Sequence, residues 1–163
     1  RKVDEFGFDA DRDLVLIDTS RVKVAIGNLS KLNFDDLEDF EIQSALEFGV
    51  ISIVSLDDEP IDRSEDLWVT VLSEAKNSGF SAKEIHEGNI IENWGQDPIL
   101  IKETPARLFI RTRMDGLSLF ALDGDGHIQE RLPFQIQDRR MSFRVGTHGA
   151  IFYRITASNL SSH

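Results

Sequence analysis

Ser64-Glu65-Asp66-Leu67-Trp68-Val69-Thr70-Val71-Leu72-Ser73-Glu74-Ala75-Lys76 is the one stretch of this chain that reads in two ways. As a helix, Ser64 caps the first turn and Leu67, Val71 and Ala75 share one face. As a strand, Leu67, Val69 and Val71 point one way while Trp68, Thr70 and Leu72 point the other. The density of Val, Trp and Thr favours the strand, ended by the turn Asn77-Ser78-Gly79. This choice decides the fold, because period-two alternation already runs through the rest of the chain.

Working outward, Leu14–Asp18 and Val22–Ile26 bracket Thr19-Ser20-Arg21 as two strands with a tight connection. Phe40, Ile42, Ser44, Leu46 and Phe48 alternate with polar residues, and Val50–Ser55 continues in β-branched residues. Asp57-Asp58-Glu59-Pro60 is a turn. Downstream, Ile99–Glu103, Leu108–Thr112, Leu117–Leu122, Phe143–Val145 and Ile151–Thr156 read as strands. Asp123-Gly124-Asp125-Gly126 has the composition of a hairpin turn. About ten short strands at this spacing predict an all-β fold, an antiparallel β-sandwich of immunoglobulin-like or jelly-roll type. Residues 1–163 are expected to be one such domain, excised from a larger chain.

The composition bounds the function. With 163 residues, 40% of them hydrophobic, the chain can bury one substantial core. It has no cysteine, which removes disulfides, thiolate catalysis and Cys-based zinc sites. The net charge of −11 is uneven: residues 1–102 carry 10 Lys/Arg against 23 Asp/Glu, and residues 103–163 carry 8 against 6. The acidic part repels nucleic acid and anionic membranes, so neither is an expected partner.

Several segments, in order, carry a resemblance. They are Ile17-Asp18-Thr19-Ser20-Arg21-Val22 with Ala25-Ile26-Gly27, then Val54-Ser55-Leu56-Asp57-Asp58-Glu59-Pro60-Ile61, then Asn77-Ser78-Gly79-Phe80. Trp94-Gly95-Gln96-Asp97-Pro98-Ile99-Leu100-Ile101-Lys102-Glu103, Phe120-Ala121-Leu122-Asp123-Gly124-Asp125-Gly126 and Ile151-Phe152-Tyr153-Arg154-Ile155 follow. Together, over roughly residues 10–156, they are similar to the β-sandwich domains C-terminal to (β/α)8-barrel catalytic domains in large bacterial glycoside hydrolases. The chain departs from that pattern at Ser20, where proline is expected, and at Trp68, where an aliphatic residue is usual. The resemblance implies an extracellular or periplasmic, non-catalytic module that braces the barrel, binds polysaccharide, or both. Its partners would be the catalytic domain of the same chain and, if it binds sugar, a polysaccharide. The alternative class is a structural adhesion or assembly sandwich of a surface or phage protein.

The candidate contact residues are Trp68, Phe109, Arg111, Arg113, Phe152 and Arg154. On the strand reading Trp68 lies opposite the Leu67/Val69/Val71 core set, Phe109 alternates with Arg111 and Arg113, and Phe152 alternates with Arg154. Flat rings suit the apolar C–H face of a sugar, and they equally suit a neighbouring domain. Tyr153 aligns with Ile151 and Ile155 and is expected in the core; Trp94 is expected to anchor a strand. Arg111, Arg113, Arg144 and Arg154 are candidates for one solvent face, binding carboxylates or pairing with the chain's own Asp and Glu.

Neither Asp9/Asp11/Asp13 nor Asp123/Asp125 has EF-hand spacing. No cofactor is expected, and the acidic loops leave a structural calcium ion open. The histidines His86, His127, His148 and His163 are scattered, and HExxH, GxSxG and P-loop patterns do not occur. No catalytic residue is assigned.

Overall fold

The computed structural model describes residues 5–86, 88–147 and 149–157. Its first strands are β1 (Glu5–Asp9), β2 (Leu14–Asp18), β3 (Val22–Gly27), β4 (Phe40–Gln43), β5 (Gly49–Ser55) and β6 (Asp66–Leu72). Next come β7 (Ala75–Ser78), β8 (Ser81–Ile85), β9 (Gly88–Asn93) and β10 (Gln96–Ile101). The last are β11 (Ala106–Arg111), β12 (Ser118–Leu122), β13 (Ile128–Arg131), β14 (Gln135–Gln137), β15 (Arg140–Val145) and β16 (Phe152–Thr156). A single 3-10 turn, Leu29–Lys31, is the only helical element among the described residues. Among the described residues, no helix is long and apolar enough to cross a membrane.

The ambiguous stretch is extended, but it divides: β6 ends at Leu72, and β7 takes Ala75–Ser78, so Asn77 and Ser78 are strand where the sequence suggests a turn. In β6, Leu67, Val69 and Val71 are buried while Trp68 and Thr70 are partly exposed, so period two prevails over the helical spacing. Eight strands build one antiparallel sheet in the order β1-β2-β3-β5-β6-β16-β12-β13, and four build the second in the order β14-β15-β11-β4. The core lies between them. The larger sheet supplies Leu16, Ala25, Ile51, Ile53, Leu67, Val69, Val71, Leu119, Tyr153 and Ile155, and the smaller supplies Phe40, Ile42, Leu108, Ile110, Met141, Phe143 and Val145. Each fully buried aliphatic side chain contributes about 1.5–3 kcal/mol, which is what drives the layers together.

Among the described residues sixteen strands form where the sequence suggests about ten. The excess is explained by burial. Of the six strands not expected from the sequence, β8, β9, β13 and β14 are exposed at every position, and β1 and β7 bury no residue. Without a core to face, such strands carry no alternation. β8 and β9 pair with each other as one ribbon, and β7 pairs with β10 as a second. The two ribbons meet where Gly95 takes φ +71, and a Cβ there would lie 2.5 Å from the Ser78 carbonyl oxygen. Only glycine fits that crossing.

Candidate functional site

Three surfaces merit description, and the first is the outer face of the eight-stranded sheet. The strand registers put Val15, Ile17, Val22, Val24, Ile26, Val50, Val54, Trp68, Thr70 and Phe152 on that face. β1 extends it with Phe6 and Phe8, which are 65% and 68% exposed. Trp68 and Phe152 pack together with ring centroids 5.4 Å apart and planes tilted by 47°. The turn after β12 comes down beside them, since a Cβ on Gly126 would meet the Trp68 ring at 3.7 Å. Arg154 is the cross-strand neighbour of Trp68 and donates two bonds, of 2.8 and 2.7 Å, to the Asp66 carboxylate.

The second surface is the outer face of the four-stranded sheet, on the opposite side of the sandwich. Here Phe109 is approached by the guanidinium groups of Arg107 at 5.0 Å and Arg140 at 4.2 Å. Arg111 pairs with Asp39 at 3.1 Å, and Arg140 pairs with Glu41. A cleft of about 440 Å³ opens here, lined by Phe34, Phe109, Arg111 and Arg139 among others. Arg113 lies beyond the end of β11 and pairs with Asp62 at 2.7 Å.

The six candidates therefore divide. Trp68, Phe152 and Arg154 share one face; Phe109 and Arg111 share the other; Arg113 belongs to a connecting segment. The expectation of one arginine face is corrected: Arg111 and Arg144 lie on the smaller sheet and Arg154 on the larger. Arg111, Arg113 and Arg154 each hold an internal aspartate, so their guanidinium groups are already engaged. Trp94 is also corrected. Rather than anchoring a strand it is 70% exposed, with its carbonyl held by the Asn77 amide at 3.0 Å. Tyr153 is in the core as expected, with 1% exposure.

The third surface is a cleft of about 630 Å³ beside the β13 and β14 edges, where the sheets part. Buried Ala121, Phe143, Ala150 and Tyr153 form its floor, with polar Arg107, Gln129, Glu130, Gln135 and Arg144 around it. Sequence reading did not single out this cleft, because its lining comes from strands brought together only by the fold.

The Asp-Gly-Asp-Gly turn brings ligand atoms of Asp123, Asp125 and His127 within 4.8 Å of one another. The Asp123 carboxylate accepts the backbone N–H groups of His127 at 2.8 Å and Asp125 at 2.9 Å, which hold its pKa below the usual carboxylate range. Those bonds account for the residues as turn formers. Asp9, Asp57 and Glu74 are likewise lowered, the first by its hydrogen bond to Arg12. A general acid needs a raised carboxyl pKa, and none of these four has one.

Compared with protein-family models, curated proteins and solved structures, the chain matches none.

Proposed function

We propose that this chain is a non-catalytic accessory module of a glycan-degrading enzyme that docks the outer face of its larger sheet on the catalytic domain of the same polypeptide. One observation carries the docking half of the reading. An antiparallel sheet with one free face ordinarily alternates apolar and polar residues, yet here apolar side chains predominate on the outer face of β2, β3, β5 and β6 as well, interrupted by Ser52, Thr70 and Asp66.

The charge on this face selects the occupant. The chain carries −11, but across β2, β3, β5, β6 and β16 the outward ions are Arg154 and Asp66, which satisfy each other. A surface depleted of charge and bearing aromatic anchors suits the apolar face of another folded domain. It suits a hydroxyl-rich polysaccharide poorly. The catalytic domain as the partner, and glycan degradation as the setting, rest on the ordered motifs from Ile17 to Ile155.

The test is coexpression of this chain with the catalytic domain of its own reading frame, as two polypeptides. They are expected to copurify, and Val24→Lys or Val54→Lys is expected to abolish the complex while the chain stays folded by circular dichroism. Copurification that ignores both lysines overturns the docking face. A reading frame that encodes further β-domains and no barrel overturns the accessory role.

A further inference from the structure

Strands β11 and β15 place two arginine pairs directly opposite one another, Arg107 with Arg144 and Arg111 with Arg140. Like charges in such positions repel. The second pair is neutralised within the chain, because Arg111 has Asp39 and Arg140 has Glu41. The first pair is not. Arg107 donates to the Ser142 hydroxyl at 3.4 Å and rests over the Phe109 ring, and Arg144 has no carboxylate partner among the described residues. In a chain with 29 acidic residues against 18 basic ones, an uncompensated arginine pair is unexpected.

Both arginines line the 630 Å³ cleft, which lies in the range of about 300–1,000 Å³ found for small-ligand sites. Around them stand Gln129, Glu130 and Gln135, whose side chains have no hydrogen-bond partner among the described residues, and half-buried Phe134. We propose that this cleft binds an acidic saccharide, with its carboxylate or sulfate held by Arg107 and Arg144. Planar guanidinium groups match either oxyanion through paired N–H donors. The two amides and Glu130 supply donors and acceptors for ring hydroxyls, and Phe134 with the apolar floor takes the C–H face. The anionic character of the ligand stands on the arginine pair; the choice of a saccharide rests on the accessory-module reading.

The test is a titration at low salt, followed by heteronuclear NMR and calorimetry. The probes are an oligogalacturonate, a sulfated galactan oligomer, a neutral galactan of the same length and oligoglutamate. At least one acidic oligosaccharide is expected to shift the amides of Arg107, Arg144 and residues 129–135, with the neutral oligomer at least tenfold weaker. Arg107→Ala and Arg144→Ala are each expected to weaken binding tenfold or more; Arg21→Ala, remote from the cleft, leaves it unchanged. Arg144→Ala is also expected to raise the unfolding midpoint of the free chain at low salt, since it relieves the repulsion.

Equal binding of the neutral oligomer, or indifference to both alanines, overturns the proposal. If oligoglutamate binds as tightly as the sugars, the arginine site stands but the saccharide assignment is overturned. Failure of every anion to bind, with the docking complex intact, overturns this site alone and leaves the accessory reading in place.

Discussion

Lys23 and Asp18 form an ion pair inside the sandwich, their side chains only 3% and 2% exposed. They are cross-strand neighbours on β3 and β2 and face inward where the flanking residues are apolar. The second Asp18 oxygen accepts the backbone N–H of Glu38 at 3.0 Å, tying the segment before β4 to the larger sheet. Removing one partner strands a buried charge, so Lys23→Met is expected to cost about 3–5 kcal/mol. The double variant Asp18→Leu/Lys23→Met is expected to recover a large part of that loss, though not the Glu38 bond. Urea unfolding of the two single variants and the double variant measures the coupling, and strictly additive losses contradict it.

Asp57 gives a pH dependence. Burial disfavours its charge, but the Ser64 hydroxyl at 2.8 Å, the Glu65 N–H at 2.6 Å and the Ser55 hydroxyl at 2.9 Å outweigh that cost. Its folded-state pKa is therefore lowered, and the stability it contributes is present above the unfolded carboxylate value of about 3.9. That contribution is lost as pH falls through the lower folded value. Asp57→Asn is expected to unfold at lower urea than the parent at pH 7, by roughly 1 kcal/mol after solvent screening. The two midpoints are expected to converge near pH 2; a gap that persists there refutes the assignment.

Tyr153 and Gly146 make a third case. The buried Tyr153 hydroxyl accepts the Gly146 N–H at 2.7 Å and donates to the Ala150 carbonyl at 3.0 Å, which closes the loop between β15 and β16. Burial pushes the phenol pKa up, so it remains a neutral donor through the physiological range. Tyr153→Phe leaves both backbone groups without this partner and is expected to cost about 1–3 kcal/mol. Gly146→Ala is expected to cost more. Its φ is +75, and a Cβ would lie 1.7 Å from the Thr104 carbonyl oxygen, so the backbone itself must move. Thermal unfolding that ranks the two variants in the reverse order contradicts this geometry.

Local pattern made much of the sandwich legible. Trp68 and Phe152 point outward and Tyr153 inward because side chains in a strand alternate whatever the partner strand is. The same rule found no signal in β8, β9, β13 and β14, where every residue meets water and polarity need not alternate. The apolar outer face was written in Leu14–Ile17, Val22–Ile26 and Val50–Val54, where apolar residues occupy both parities. Alternation takes one parity for the core and leaves the other unexplained until the facing layer is known.

From the residues alone came the all-β class, the outward and inward sides of the central strands, and the turns at Asp57-Asp58-Glu59-Pro60 and Asp123-Gly124-Asp125-Gly126. These depend on neighbours within a few positions, and backbone sterics with side-chain alternation settle them locally. Tertiary structure decided which charges are spent and which are free. Arg154 finds Asp66 and Arg140 finds Glu41 across long stretches of chain, while Arg107 faces Arg144 and has no carboxylate partner among the described residues. Ion pairing depends on distance in space, and strand order, which sets that distance, is a property of the whole packed sheet.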